Sequence, residues 1–244
     1  MKLYCKLLGK HIKSLLLKAC LLITIAYTSA IGQDNETSQF SAERTLEHIR
    51  VQVSFGARSL GFQKAKTQTI SYISEMLRPY AESIKVQSFN AEGIDGNNVF
   101  AQIRGKGSQP RPTLMLGTHF DTRPVADQDR QASKRKSPVI GANDGASGVA
   151  VLLEVARALS TNLPNINVDF LFFDLEDLGD ISVNSAPPFP ILPKVSGLPF
   201  SIGAATFVES NPDYRPSGGV IVDMVCDRDL SIPKELHSIK RAPT

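Results

Sequence analysis

The chain has 244 residues, of which 42% are apolar and 21% charged, enough apolar material to bury a large core as one domain. Its formal net charge of +3 depends on five lysines within the first 32 residues. The remaining residues, 33–244, contain 22 basic and 24 acidic residues and so have a net charge of −2. This balance gives no support to nucleic-acid binding. Cys226 is the only cysteine after residue 32, which excludes an intrachain disulfide there.

The first 32 residues are typical of a secretory signal peptide. Lysines at positions 2, 6, 10 and 13 precede an apolar stretch over 15–30, and small residues follow at 28–32. We therefore expect cleavage after Ala30 or Gly32 and an exported protein, periplasmic or secreted, without membrane contact after cleavage. Residues 33–244 are expected to form one domain.

The hydrophobic pattern then predicts an alternation of helices and strands. Helical spacing covers residues 43–53, with Ser41 as N-cap, and 64–80, where Pro79 ends the pattern. A further helix is predicted at 147–159, with Ser147 as a cap. Strands are predicted at 84–89, 98–104, 113–117, 167–173 and 218–225. The proline-rich residues 181–200 predict a long irregular loop, and the whole order indicates a three-layer α/β domain with a mixed sheet.

Histidine and acidic residues stand where these strands end, the edge at which open α/β sheets bind ligands. His119 and Asp121 follow the strand at 113–117, and their His-x-Asp spacing allows the carboxylate to orient the imidazole. Asp144 lies in the glycine-rich turn GANDGASG, which can project a carboxylate toward a metal. Each motif alone is also compatible with a satisfied surface histidine or a locally capped turn.

Two more acidic motifs end later strands. Glu176 and Asp177 are adjacent, and neighbouring carboxylates repel each other unless a cation or a proton separates them; an exposed acidic turn is the alternative. Asp223 lies inside the apolar run GVIVDMV, where an unpaired carboxylate is costly. Cys226 follows that run and is expected to be an inert core thiol. Together, one His and four carboxylates at strand ends predict a metal site, with Zn²⁺ as a suitable ion.

These motifs resemble those of a known family. Four motifs are similar, in the same order, to motifs of the zinc aminopeptidases and of their sister branch, the glutaminyl cyclases: GTHFDTRP, GANDGASGVAVLLEVARAL, FFDLED and IVDMV. The stretch VSFGARSLGFQKAKTQTISYISEML resembles the helical N-terminal region of the bacterial cyclase-like members. The resemblance covers residues 43–244 and implies a three-layer α/β/α sandwich around a mixed, mostly parallel sheet, with one or two zinc ions.

The resemblance also implies roles for single residues. Asp144 would be the central or bridging zinc carboxylate, and Asp177 a zinc ligand where many members have Glu. Glu176 would be the general acid/base. His119 would be a ligand at a second site or a hydrogen-bond partner in the pocket, oriented by Asp121. Asp223 would complete a second metal site in an aminopeptidase or relay a proton in a cyclase.

The sequence departs from the family pattern at two points. The family has a further zinc-binding His after a later strand, whereas the only downstream histidine here is His237, at a position expected to begin a helix. We therefore expect the C-terminal part of the catalytic domain to be missing. The chain also has no Trp, a residue that often lines the substrate pocket of relatives.

The resemblance predicts an enzyme that acts on the N-termini of peptides or proteins. The first hypothesis is glutaminyl-peptide cyclotransferase activity, which converts N-terminal Gln to pyroglutamate and releases ammonia. The second is a zinc aminopeptidase that hydrolyses the first peptide bond. A third is an inactive fragment or binding protein. Metal count and oligomeric state are left open by the sequence.

Overall fold

The computed structural model describes residues 40–179, 181, 197–232 and 239–240. The chain divides into two compact units, Met1–Phe40 and Ser41–Thr244, and the description below concerns the second. The predicted signal peptide, most of the proline-rich segment and His237 lie outside the described residues. The prediction of one domain over 33–244 stays a prediction. No helix in the described ranges is long and apolar enough to cross a membrane.

Four α-helices, five strands and a short 3₁₀ helix (Ala132–Lys134) have their bounds within the described residues of the second unit. The helices are α1 (Ala42–Ser54), α2 (Gln63–Leu77), α3 (Ala146–Thr161) and α4 (Ile202–Ser210). The strands are β1 (Ser83–Ala91), β2 (Ile94–Ile103), β3 (Thr113–His119), β4 (Asn167–Phe173) and β5 (Gly218–Ile221). As predicted, the Ser41 side chain caps α1 by accepting a hydrogen bond from the Arg44 backbone N–H, and α2 ends just before Pro79.

The strands form one mixed sheet in the order β1-β2-β4-β3-β5. β1 and β2 are joined by the two-residue turn Glu92-Gly93, in which both residues have positive φ, as a type I′ hairpin turn requires. β2 is antiparallel to β4, whereas β3 is parallel to both β4 and β5. Half of the four strand pairings are thus parallel.

Helices cover both faces of this sheet, which gives the three predicted layers. On one face α2 and α3 pack against alternate strand residues, which include Val99, Phe170 and Phe172. On the other face Phe207 of α4 packs against Leu171 and Phe173. All seven residues of β4 are buried because both of its faces are covered and it lies between two strands.

The chain connections diverge at the carboxyl ends of β3 and β4. These strands are parallel neighbours. The chain leaves β3 toward α3 on one face of the sheet and leaves β4 toward α4 on the other. Adjacent strands whose connections diverge in this way mark the point at which open α/β sheets bind ligands. Asp121 follows the end of β3, and Glu176 follows the end of β4.

Two expectations about the helices need correction. Helix α4 was not expected; its apolar residues surround the helix axis instead of marking one face, so no helical period is visible. Ser147 does not cap α3, because Gly145 holds the N-cap position; the Ser147 hydroxyl instead donates to the Asn143 carbonyl.

The predicted strand 218–225 is also wrong in its extent and burial. β5 ends at Ile221, and its four residues are exposed because, among the described elements, it pairs only with β3 at the sheet edge. Cys226 is exposed and is not a core thiol. Beyond β5 the chain turns toward α3, where the Cys226 backbone N–H donates to the Asn143 side chain.

Candidate metal centre

His119 lies at the centre of the predicted site. It is the last residue of β3 and is 4% exposed. Its Nδ1 lies 3.3 Å from Asp121 Oδ1, and its Nε2 lies 3.0 Å from Asp144 Oδ1 and 3.2 Å from Asp223 Oδ1. Burial by itself lowers the pKa of His119, but the hydrogen bonds with these three carboxylates raise it well above its ordinary value. These hydrogen bonds therefore favour the protonated form of the imidazole.

Asp121 links the ends of the two central strands. Besides contacting His119, it accepts hydrogen bonds from the backbone N–H groups of Glu176 (3.0 Å) and Asp177 (3.2 Å). Burial opposes ionisation of this carboxyl, but these bonds and the charge of His119 lower its pKa. A carboxylate bound to Nδ1 fixes the tautomer and the orientation of the imidazole. The predicted orienting contact of Asp121 is thus present, and the same residue also holds the turn after β4.

The Asp144 carboxylate is carried by a tight turn ahead of α3. Gly145 has a φ of 93°, and a Cβ there would lie 2.5 Å from the Asp121 carbonyl oxygen, so only glycine fits. The close approach brings the turn against the end of β3. As a result, Asp144 reaches His119 although its side chain remains 36% exposed.

Asp223 reaches the same histidine from the segment after β5. Its side chain is 53% exposed, so the predicted reason for its importance, burial in an apolar strand, is wrong. Its contact with His119 is nevertheless present. Met224, the next residue, has a left-handed φ of 49°, and the Val225 N–H donates to the Ser147 hydroxyl at 3.0 Å. Ser147 and the backbone turn therefore hold Asp223 near the Asp144 turn.

Glu176 lies beside this cluster and is held by its neighbours. It is partly buried, and the Ser201 hydroxyl donates to its Oε1 at 3.1 Å. Burial is the largest cause that raises the pKa of Glu176, and the charges of Asp121 and Asp223 act in the same direction. The preceding residue, Leu175, and Ser201 both have left-handed φ values, of 55° and 59°. Such strained backbone is typical of functional sites.

Asp177 has a different partner from the one expected. Its Oδ1 accepts a hydrogen bond at 3.0 Å from Arg123, whose guanidinium also forms two bonds with Asp127. Burial and the charge of Asp144 raise the pKa of Asp177 to about 7, against the effect of Arg123. Among the described residues the compact donor group contains His119 and not Asp177. The zinc-ligand role of Asp177 stays a prediction.

Arg123, Ser201 and the buried Arg58 are site residues that the sequence did not reveal. Arg123 is part of the motif GTHFDTRP, but the motif does not predict that Arg123 binds Asp177. Ser201 is far from Glu176 in sequence and occupies the N-cap position of the helix that was not expected. Their roles depend on contacts between distant segments.

The donor atoms suit a metal ion. One imidazole nitrogen and two carboxylate oxygens, from His119, Asp144 and Asp223, lie within 4.8 Å of one another. Zn²⁺ accepts this combination in catalytic sites that keep a coordination position open. Carboxylates this close to one another repel unless a cation or a proton lies between them, which is a further reason why this group suits a metal ion.

A family model described as peptidase family M28 matches residues 98–231, more than half of the chain. The chain belongs to peptidase family M28. The matched residues of this M28 chain include His119, Asp144, Glu176 and Asp223, whereas Arg58 lies before the matched range. The suspected family is thus confirmed.

Individual relatives agree with this assignment. A "probable zinc metalloprotease" of Pyrenophora tritici-repentis is 31% identical over 149 residues, which are 53% of this M28 chain and 29% of the relative. The chain spans about a third of the length of the curated relatives it matches.

Two solved structures from Bacteroides thetaiotaomicron share the fold. A glutaminyl cyclase bound to N-acetylhistamine has a TM-score of 0.70 and 28% identity, covering 84% of this chain and 69% of the other. A leucine aminopeptidase precursor has the same TM-score and identity, covering 85% and 70%. The α/β fold class with its mixed sheet and flanking helices is therefore confirmed.

Proposed function

We propose that this M28 chain is a zinc-dependent enzyme acting on peptide N-termini, and that it converts N-terminal Gln to pyroglutamate with release of ammonia. The observation that carries the proposal is the partly buried Glu176 carboxyl, whose pKa is raised, beside a group of metal-ligand donors. Likeness to a solved glutaminyl cyclase supports the choice of reaction.

The residues that would hold zinc are Asp144 with His119 and Asp223, whose donor atoms are already close together. Asp177 is the further candidate, through the carboxylate oxygen that Arg123 does not bind. Zinc, when bound, supplies Lewis-acid polarisation of the γ-carboxamide carbonyl.

Glu176 would move the proton that the reaction requires. Cyclisation forms a bond between the α-amine nitrogen and the γ-carbonyl carbon and breaks the bond from that carbon to the amide nitrogen. Glu176 accepts the proton that the α-amine loses and passes it to the departing nitrogen, which leaves as ammonia. The Ser201 hydroxyl fixes one carboxylate oxygen and leaves the other to face the substrate. Burial raises the pKa of the carboxyl, which favours its taking up a proton from the amine.

The second candidate is a zinc aminopeptidase. The contacts of His119 with both Asp144 and Asp223 favour it, because together these residues could complete a second metal position. Likeness to the leucine aminopeptidase precursor is as strong as likeness to the cyclase. In this case Glu176 would take a proton from the attacking water.

A peptide that begins with Gln separates these candidates in one experiment. The full chain is incubated with zinc and the peptide, and the products are read by mass spectrometry. Loss of ammonia from the peptide supports the cyclase, whereas loss of the whole Gln residue supports the aminopeptidase. No change with either Gln-initiated or Leu-initiated peptides would overturn both enzyme proposals and favour a binding protein or inactive fragment.

Two variants assign the residues. Glu176→Gln should abolish turnover while zinc content stays unchanged, and retained activity would remove Glu176 from proton transfer. Asp144→Asn should lose zinc, and unchanged zinc content would remove it from the ligand set. Glu209→Gln, an exposed acid on α4, is the matched control for both.

We also propose that the protein is exported after cleavage of its N-terminal segment behind Ala30 or Gly32. The basic start and the apolar stretch over 15–30 support this. Cell fractionation and N-terminal sequencing test it: a mature protein that begins at Ile31 or Gln33 is expected outside the cytoplasm. An intact N-terminus in the cytoplasm would contradict it.

A further inference from the structure

Arg58 is a fully buried arginine behind the metal centre. It lies between α1 and α2, in a segment without regular structure, and is 0% exposed. The guanidinium donates hydrogen bonds to backbone carbonyls: Nε to Phe120 (2.8 Å), Nη1 to Ile140 (2.9 Å), Nη2 to Gly141 (2.7 Å) and, within its own segment, Nη1 to Gly56 (3.4 Å). A buried charged side chain that bonds backbone of two distant segments is unusual and requires a reason.

The bonded carbonyls flank the residues that would bind metal. Phe120 lies between His119 and Asp121, and Gly141 opens the turn that carries Asp144. Arg58 therefore joins the end of β3 to the Asp144 turn, two segments that must keep a fixed separation for His119 Nε2 and Asp144 Oδ1 to share one ion. The planar fork of guanidinium donors suits this task, whereas a lysine ammonium offers a single nitrogen.

The fit around the guanidinium is close. A Cβ on Gly141 would lie 2.9 Å from Arg58 Nη2, and one on Gly145 would lie 3.3 Å from it. The Arg58 backbone is also fixed, since its N–H donates to the Thr122 hydroxyl at 3.0 Å. Both ends of the residue are thus tied to the segment after β3.

The charge of Arg58 remains on the side chain. Burial lowers its pKa to about 10, and the charges of Asp121 and Asp144 oppose that decrease. The guanidinium is therefore a cation at neutral pH. A cation near the carboxylates repels a metal ion, whereas a fixed spacing of ligands favours binding. The two effects have opposite signs, so experiment can separate them.

We propose that Arg58 is a positioning residue that holds the end of β3 and the Asp144 turn at the spacing required for metal binding, and so raises the affinity for zinc. The proposal rests on the proposed zinc site but not on which reaction the site performs. It also gives a structural role to Arg58 in the motif FGARS, residues 55–59, which the sequence alone does not indicate.

The test is zinc affinity of the full chain, measured by competition with a chromogenic chelator, for Arg58→Lys and Arg58→Met. Both variants should bind zinc about tenfold or more weakly than the unaltered chain, the order of loss typical when a group that orients a ligand is removed. Arg58→Lys keeps the charge and loses the fork, so equal weakening in both variants assigns the effect to positioning. Arg50→Met, an exposed arginine on α1, is the matched control.

Other outcomes overturn the proposal. Unchanged zinc affinity in both variants would show that Arg58 acts only on folding. Tighter zinc binding by Arg58→Met alone would show that Arg58 acts only through its charge. A full chain that takes up no zinc would overturn it as well. Zinc binding that depends on Arg58 without turnover of either peptide would instead refute the proposed reaction and leave this inference standing.

A second pair of variants covers the case in which Arg58 variants do not fold. Thr122→Val removes the hydroxyl that accepts the Arg58 N–H, and Thr122→Ser keeps it. Weaker zinc binding in the first, with recovery in the second, is expected. Equal affinity in the two would contradict the proposal.

Discussion

Lys66 and Asp174 form an ion pair that supports the turn carrying Glu176. Lys66 Nζ lies 2.8 Å from Asp174 Oδ2, and the two side chains are 2% and 0% exposed. Asp174 also accepts hydrogen bonds from the backbone N–H groups of Asn97 (3.0 Å) and Leu175 (2.9 Å). The pair therefore fixes the end of β4 just before the strained residue Leu175.

Replacing Lys66 with Met leaves the Asp174 carboxylate buried without its cation. Removing one partner of a buried ion pair costs about 3–5 kcal/mol of unfolding free energy. Burial already raises the pKa of Asp174 to about 6, although Lys66 opposes the shift. Without Lys66 the pKa must rise further, so the variant can recover stability by taking up a proton.

The sign of this pH dependence follows from proton binding. A carboxyl whose pKa is higher in the folded than in the unfolded chain binds a proton in the folded state first, so stability rises as pH falls. The gain is at most about 1.4 kcal/mol per pH unit. The destabilisation of Lys66→Met should therefore shrink by roughly 2 kcal/mol between about pH 7.5 and pH 5.5.

Urea unfolding at both pH values measures this effect. Lys64→Met, an exposed lysine on the same helix, should change stability by less than about 0.5 kcal/mol at either pH. The double variant Lys66→Met/Asp174→Asn should be more stable than Lys66→Met at the higher pH, because no buried charge remains. A destabilisation below about 1 kcal/mol, or one that does not depend on pH, would refute the reasoning.

Three further predictions concern the turn and its neighbours. In the zinc-free protein, the pKa of Asp177 is raised to about 7, so stability should fall as pH rises from about 4 to 7, and Asp177→Asn should flatten that slope in urea midpoints. Ser201 has a left-handed φ of 59°, which glycine adopts without strain and alanine does not. Both Ser201→Gly and Ser201→Ala lose the bond to Glu176, so the Gly variant should be more stable than the Ala variant by about 1 kcal/mol. Equal unfolding midpoints of the two variants would show that the backbone at Ser201 is not strained. Gly203→Ala would place a Cβ 2.1 Å from the Asp174 carbonyl oxygen and should lower the unfolding free energy by about 1–3 kcal/mol; an unchanged thermal midpoint would disprove that contact.

The elements that the sequence predicts well are those whose pattern is local. The buried strand 167–173 agrees in both bounds with β4, because its largely apolar sequence, interrupted only by Asp169 after Val168, is typical of a strand covered on both faces. α1 and α2 show helical spacing and clear end signals, and their predicted bounds are within three residues of those observed. α4 and the end of β5 lack such signals, and there the prediction fails.

The site shows the same division. Sequence alone predicted which residues come together, since His119, Asp144 and Asp223 belong to ordered motifs at strand ends and meet in one cluster. It did not determine how they are held. The contacts that hold them join segments far apart in the chain. Asp121 bridges two strand ends, Arg123 binds Asp177, Ser201 binds Glu176, and Arg58 joins two loops. Such contacts depend on which strands are neighbours and where their connections leave the sheet, and only the tertiary structure decides that.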